Sequence, residues 1–470
     1  MLFKKLALSA ITSAVLSGCQ LAPEQQNIAL PVPDSYGQST SQGNVESLKW
    51  QQFFQDQNLQ QLISIALENN KDMKISQLNV QRVRGLYQIE KSALYPSLDF
   101  NGNGSRTRLP SDLTSTGEAG ISSQYTATVG ITSYELDIWG KVSNQTEQAL
   151  QTLFSTELTQ YSTQVSLVSE IANAWLNYAA DLQLLGFAQE TLVSQQASLD
   201  LTQKSFNLGA TSKITLEQLK STVANAEVDI ATYKRLLQRD KNALALLVGR
   251  HFDVSLLPEK SLNTLLDLPV IPVGLPSDLL TQRPDIKAAE HQLLAANANI
   301  GIARAAFYPN ISLTARAGTT SSELGDLFSG GSGTWSFTPN ITLPIFTMGK
   351  NRANLDVAKT DQQIALTTYE QKIQQAFREV ADSLADNQGY QEQLKALQRL
   401  VNSRKITFDI ANERYKLGAD SYLEVLDAQR NWVSAQQQLI NGQKALLASK
   451  ISLYKVLGGG WHDKSEQSGL

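Results

Sequence analysis

The sequence predicts a mostly α-helical fold with a transmembrane β part, in which each chain is an internal tandem repeat. Three observations predict this fold: a repeat with a constant offset, two proline-free stretches with a helical period, and four segments of alternating polarity. With 470 residues, 42% hydrophobic and 18% charged, the chain is long enough for a large core. Its formal charge of −4 argues against a nucleic-acid binder, which usually carries basic patches.

The repeat is visible in pairs of segments. KSALYPSLDF is echoed by RAAFYPNISL, and SFNLGATSKITLEQL is echoed by RYKLGADSYLEVLDA. Two Gly-Lys pairs, at Gly140 and Gly349, are 209 residues apart (349 − 140), and two turn glycines, Gly209 and Gly418, are also 209 apart (418 − 209). The equal offsets mean that the segments between these markers have the same length in both halves.

Those segments, 140–206 and 349–415, contain no proline and repeat apolar residues every three or four positions. A helix of this size is on the order of 100 Å long at 1.5 Å per residue. Each ends at a Leu-Gly-Ala turn, where glycine suits the left-handed position after a helix. A second helix then returns, so the sequence predicts two long antiparallel hairpins, at 140–249 and 349–458.

Two barrel strands are predicted at about 93–139 and two more at about 306–346, each about ten residues of alternating polarity, as in transmembrane β-strands. An ordinary amphipathic soluble sheet is the alternative. Four strands cannot close a barrel, and lipid does not tolerate an open sheet edge, so a membrane sheet here requires an oligomer. Five aromatic residues lie toward the strand ends, as in an aromatic girdle: Tyr95, Tyr125, Trp139, Tyr308 and Trp335.

The N-terminus predicts export and lipidation. MLFKKLALSAITSAVLSGCQ has a basic start and a short apolar run, which indicates a signal peptide at 1–18. LSGC resembles a bacterial lipobox, so Cys19, the only cysteine, is expected to carry a diacylglycerol and an N-acyl chain such as palmitate. The alternative is a plain signal peptide with an incidental cysteine. Gln20 in place of Asp resembles lipoproteins sorted to the outer membrane.

The remaining boundaries follow from proline and glycine. A lipid-anchored extended tether is predicted at 19–43, and the first repeat at 44–249. A proline-rich equatorial linker at 250–276 joins it to the second repeat at 277–458, and a C-terminal tail follows at 459–470.

Several motifs together carry a family resemblance. They are RPDIKAAEHQLLAANANIGIARAAFYPNISL, YELDIWGKV, FREVADSL, YKLGADSYLEVLDAQRNWVSAQQQLI and LYKVLGGGW. The chain resembles the TolC family of outer-membrane efflux channels, in its lipoprotein, OprM-like branch. The resemblance implies a homotrimer with a 12-stranded β-barrel in the outer membrane, continued by a long 12-helix α-barrel in the periplasm. It also implies two partners, a periplasmic adaptor and an inner-membrane pump, commonly of the RND type.

The second turn collects acids. Asp420, Glu424 and Asp427 share one helical face, although like charges at this spacing repel. Ser421 and Glu424 fit a capping box, and Asp420 suits the positive end of the helix dipole. Asp427 lies two turns in, where such effects have faded. In the first half only the capping serine recurs, as Ser212, and none of the acids does.

The resemblance assigns these acids a role. The family's periplasmic gate matches Leu423 and Asp427, as a leucine ring and an aspartate ring, and Tyr415 matches a tyrosine that helps to hold the gate closed. Glu424 matches an acid found in one branch only. Asp420 stands where the family has an arginine, so that latch is not carried over.

Other classes of protein fit less well. The three histidines are far apart in sequence, and no metal cluster, nucleotide loop or nucleophile motif is present, so we expect no enzyme, no resident metal and no cofactor other than the lipid. A coiled-coil periplasmic spacer accounts for the helices but not for the four strands. Only three methionines are present, which weakly favours organic cargo over metal ions.

Overall fold

The structure is a computed structural model, and it describes residues 21–23, 32–33, 48–115, 117–259, 262, 268–269 and 283–461. The chain divides into two compact units. Of the described residues, the first unit contains 21–23, 80–156 and 288–369, and the second contains those of 32–79, 157–287 and 370–461. Cys19 lies outside the described residues, as do most of the predicted tether and linker and the tail beyond 461.

The mostly helical fold is confirmed within the described residues. Two helices, one in each half, have 67 residues, and their starting positions differ by the repeat offset of 209 (350 − 141). The eight helices with described bounds are α1 (Trp50–Phe53), α2 (Gln57–Asn69), α3 (Lys71–Ser92), α4 (Lys141–Asn207), α5 (Lys213–Val248), α6 (Pro284–Ala305), α7 (Lys350–Lys416) and α8 (Tyr422–Val456). None of the described helices contains an 18-residue stretch apolar enough to cross a membrane.

The core of the second unit explains why its helices pack together. Phe53, on α1, stacks on Tyr454 of α8 with ring centroids 4.3 Å apart. Trp175, on α4, is buried and donates its indole N–H to the Leu256 carbonyl at 3.2 Å. Each large side chain buried in this way contributes roughly 1.5–3 kcal/mol, so these contacts are a main source of stability for this unit.

A buried arginine fixes the start of the second repeat in the same unit. Arg283 precedes α6, and its guanidinium pairs with Asp285 at 2.8 Å and with Glu379 at 2.9 Å. It also donates to the Val456 carbonyl at the end of α8, at 3.0 Å. The planar, five-donor guanidinium therefore joins the start of α6 to α7 and α8.

The first unit contains one four-stranded antiparallel sheet, made of β1 (Asp99–Leu109), β2 (Gly120–Glu135), β3 (Asn310–Ser321) and β4 (Gly333–Thr342). The order is β1-β2-β3-β4, so a strand of each repeat meets at the centre and β1 and β4 are the edges. A bulge between Ile131 and Tyr134 interrupts the pairing of β2 with β3.

The register of this sheet places apolar side chains in rows on one face. Phe100 pairs with Val129, Val129 with Ala317, and Ala317 with Trp335, so one row crosses all four strands. Phe100 is 73% exposed and Trp335 is 79% exposed. Thr128, on the opposite face, is buried. Residues on both faces of β1 and β4 are exposed. The apolar face is therefore uncovered, whereas a soluble sheet covers its apolar face.

Candidate functional site

Two turns of identical backbone geometry close the two hairpins, and both belong to the second unit. Gly209 has φ of 73° and Gly418 has φ of 74°, both in the left-handed region. In the first turn the Gly209 and Ala210 amides donate to carbonyls three and five residues back, each at 2.9 Å, and the Gly418 and Ala419 amides do the same. This is the Schellman pattern, which glycine allows at no steric cost.

The starts of the returning helices differ. Ser212 caps α5, and its hydroxyl accepts a hydrogen bond from the Thr215 amide at 3.2 Å. Ser421 occupies the corresponding position before α8, but its side chain makes no capping bond. The predicted capping box of Ser421 and Glu424 is therefore wrong. The Ser421 hydroxyl does not cap the helix because the Glu424 amide donates instead to the Ser421 backbone carbonyl, at 3.3 Å.

Asp420 has a partner that the sequence analysis did not predict. The Arg414 side chain, at the end of α7, donates to both carboxylate oxygens of Asp420, at 2.5 and 3.0 Å. The hydrogen bond from Arg414 lowers the pKa of Asp420 below its usual value. The ion pair joins the end of α7 to the residue before the start of α8, so Asp420 closes the second turn.

An exposed stripe runs along the first two turns of α8. Leu423, 55% exposed, lies on it with Glu424 and Asp427. The Asn431 amide donates to the Asp427 carboxylate at 3.1 Å, and the Arg430 guanidinium is 3.7 Å from it. Three of the four predicted gate residues thus share one uncovered face of the chain, where an apolar leucine lies beside a carboxylate.

Tyr415 lies behind this stripe and not on it. Its ring meets the ring of Tyr422 edge to face, with centroids 5.1 Å apart. Tyr422 is buried with Val425 and Leu426 of α8 against Leu219 of α5. Burial raises the pKa of Tyr422, so the ring stays neutral and apolar. The two hairpin tips are therefore packed together on the opposite face of α8 from Leu423 and Asp427.

Sequence reasoning missed three polar partners at this site: Arg414, Arg430 and Asn431. Two of them were detectable, because Arg430 and Asn431 follow Asp427 by three and four positions, the spacing at which helical side chains meet. The partnership of Arg414 with Asp420 crosses a turn of six residues, and no periodic pattern indicates it.

The fold and these turns can be compared with known proteins. The model of a family described as outer membrane efflux protein matches residues 62–250 and 275–459. The probable efflux pump outer membrane protein TtgC of Pseudomonas putida is 44% identical over 472 residues, covering 99% of this chain and 97% of that protein. The cation efflux system protein CusC of Escherichia coli is 40% identical over 452 residues, covering 95% of this chain and 96% of that protein.

Solved structures give the same result. The open state of the MtrE outer membrane channel of Neisseria gonorrhoeae matches with a TM-score of 0.87 and 36% identity, covering 94% of this chain and 98% of that one. A crystal structure of CusC matches with a TM-score of 0.83 and 38% identity, covering 94% of this chain and all of that one. The family predicted from the motifs is confirmed: the chain belongs to the outer membrane efflux proteins, the TolC family of outer-membrane channels.

Proposed function

We propose that this protein is the outer-membrane channel of a tripartite efflux system and passively conducts small toxic organic compounds out of the cell. The named relatives include antibiotic and toluene efflux pump outer membrane proteins of Pseudomonas putida, 44% and 43% identical to this chain. A periplasmic adaptor and an inner-membrane pump of the RND type deliver the compounds to the channel. The channel itself does no chemistry.

The observation that carries the proposal is the uncovered apolar face of the sheet. Its apolar row is exposed, and each of its two edge strands has one free edge as far as the described residues show. An exposed apolar face is stable in contact with lipid. The unpaired backbone groups of an open sheet edge are not, because lipid offers them no hydrogen bonds. Three copies joined edge to edge form a closed 12-stranded barrel. Each copy also contributes the four helices of its two hairpins, and the resulting twelve helices form the tunnel. A soluble sheet or a coiled-coil spacer leaves both the exposed face and the edges unexplained.

Cys19 anchors the mature chain to the outer membrane through its diacylglycerol and N-acyl chains. Three acyl chains on one residue hold a protein firmly, since each buried methylene contributes about 0.8 kcal/mol. The segment 19–43 then serves as the tether, and the helical tunnel extends into the periplasm.

Leu423 and Asp427 form the periplasmic gate in this proposal. Both are exposed on the single chain, as residues that converge on a threefold axis must be. An apolar ring blocks ions by excluding water, and an acidic ring favours cations. Glu424 adds charge beside them, while Tyr415 and the Arg414–Asp420 pair hold the second turn in place. A partner that separates the helices opens the gate.

The test is single-channel conductance of the purified protein in planar bilayers. Wild type is expected to give small, cation-selective currents. Leu423→Ala is expected to raise the conductance several-fold, and Asp427→Asn to lower the cation preference. Gln218→Ala, at the position 209 residues before Asp427, is the matched control and is expected to behave as wild type. A large, unselective wild-type current that neither gate variant changes would contradict the gate assignment.

Metal-ion export is the second candidate, because CusC is named a cation efflux protein and is 40% identical. Liposome efflux assays with metal cations and with a hydrophobic dye separate the two candidates, when the protein is reconstituted with its adaptor and pump. Dye transport without metal transport supports the organic cargo, and the reverse result supports the metal.

A further inference from the structure

A cavity of about 250 Å³ lies between the two hairpins, and none of Leu423, Glu424 and Asp427 lines it. Its walls are α4, α5 and α8, all within the second unit. The lining is mostly amide and hydroxyl side chains, with one carboxylate, that of Asp229. Ligand sites for drug-sized molecules span roughly 300–1,000 Å³, so this cavity suits a smaller molecule or a single head group.

The lining is rich in hydrogen-bond acceptors because several of its donors are already used. The Thr191 hydroxyl donates to the Phe187 carbonyl and the Thr222 hydroxyl to the Leu219 carbonyl, both at 2.8 Å. The Gln437 amide donates to the Tyr233 hydroxyl at 3.3 Å. The two threonine hydroxyls have therefore used their only proton and are left with lone pairs, while Gln437 Nε2 keeps a second N–H.

Two acceptors of the lining lack a partner. The Gln195 side chain is 7% exposed, and its Oε1 atom is buried with no hydrogen-bond partner among the described residues. Asp229 makes no ion pair with any residue in the described part of the chain, and burial raises the pKa of its carboxyl. The unpaired carboxylate of Asp229 favours a ligand that brings hydrogen-bond donors and positive charge.

The only cationic side chain in the cavity lining is directed toward Asp427 and not toward Asp229. Arg430 contributes to the cavity wall, but its side chain is 68% exposed and its guanidinium lies 3.7 Å from Asp427, on the gate stripe. The protein thus does not neutralise Asp229 with its own arginine in this arrangement.

We propose that this cavity is a binding site for the head group of a small organic cation, an alkylguanidinium or alkylammonium, with Asp229 as its counter-ion. Planar donors of a guanidinium reach a carboxylate and neighbouring amide oxygens together, which is the pattern that this lining offers. The site belongs to the helical walls and is independent of whether Leu423 and Asp427 gate the channel.

The test uses the purified full-length protein in detergent, titrated with butylguanidinium chloride at constant ionic strength and followed by calorimetry. Butylurea, which has the same shape without the charge, is the matched ligand control. We expect saturable binding of butylguanidinium and at least tenfold weaker binding of butylurea. Asp229→Asn is expected to weaken butylguanidinium about tenfold or more, because a charge-assisted bond is lost. Glu227→Gln, which removes an exposed acid two positions earlier on α5, is expected to change nothing.

Three results would overturn the proposal. They are an absence of saturable binding, equal binding of butylurea, and binding that survives in Asp229→Asn. Arg430→Gln tests a competing occupant: if butylguanidinium binds only to that variant, the Arg430 side chain itself fills the site and the external ligand is rejected. Conductance of Asp229→Asn is measured in parallel, so that a failure of this site is distinguished from a failure of the channel.

Discussion

The tip of the first hairpin and the tip of the second are closed by the same backbone hydrogen bonds, yet their surfaces differ. Around Gly209 the side chains at the ion-pair positions are Ser205 and Thr211, where the second tip has Arg414 and Asp420. The first tip has a hydroxyl cap, and the second has acids. The shared backbone is what a helical hairpin needs. The charged side chains occur at the second tip only, so the second tip is the one whose surface is specialised.

The largest expected effect tests the shared backbone. Gly209→Ala and Gly418→Ala each place a Cβ at positive φ, where no other atom lies within 4 Å of it, so the cost is backbone strain alone. That strain is about 1–2 kcal/mol. Hydrogen exchange of the tip peptides is expected to show local opening roughly 5 to 30 times more frequent, and by the same factor at both tips. Clearly unequal factors would break the equivalence of the two turns.

A smaller effect tests the caps, where the tips differ. Ser212→Ala removes the hydroxyl that holds the Thr215 amide, so about 1 kcal/mol of local stability is expected to be lost. Ser421→Ala removes no capping bond and is expected to change local exchange little. If the two variants lose the same protection, the Ser421 hydroxyl caps α8 in solution, and the capping box predicted from the sequence is restored.

Asp181 and Asp240 form an acid pair that is present in the first hairpin only. Burial and the neighbouring Asp181 raise the pKa of Asp240 to about 6, while Lys444 and Arg239 lower it in part, and Tyr178 also faces it. The positions 209 residues later are Ser449 and Tyr390, which carry no carboxyl.

The direction in which stability changes with pH follows from proton binding to the folded and unfolded chains. The folded chain holds the Asp240 proton more tightly than the unfolded chain, so this stabilisation is present below about pH 4 and is lost as the pH rises to about 6. The melting temperature of Asp240→Asn minus that of wild type should therefore rise across this window and level off above it. Asp200→Asn, an exposed acid of the same hairpin, is the control. A difference that stays flat with pH would show that Asp240 has an ordinary pKa.

Much of the helical fold was predictable, because periodicity and the constant offset of 209 are local or repeated signals. The helix ends at the Leu-Gly-Ala turns follow from glycine's tolerance of positive φ. The lack of a cap at Ser421 was not predictable, since the choice between hydroxyl and backbone carbonyl depends on the geometry of the first turn. The cavity around Asp229 was also beyond the sequence, because it needs three helices from two repeats to meet.

The two edge strands have a consequence for biogenesis. β1 and β4 present eleven and ten residues at the margins of a sheet whose apolar row is already uncovered in the single chain. In water such margins recruit any available strand, native or foreign. If the chain assembles as the proposed trimer, a copy is most prone to aggregation before its edge strands pair with two further copies.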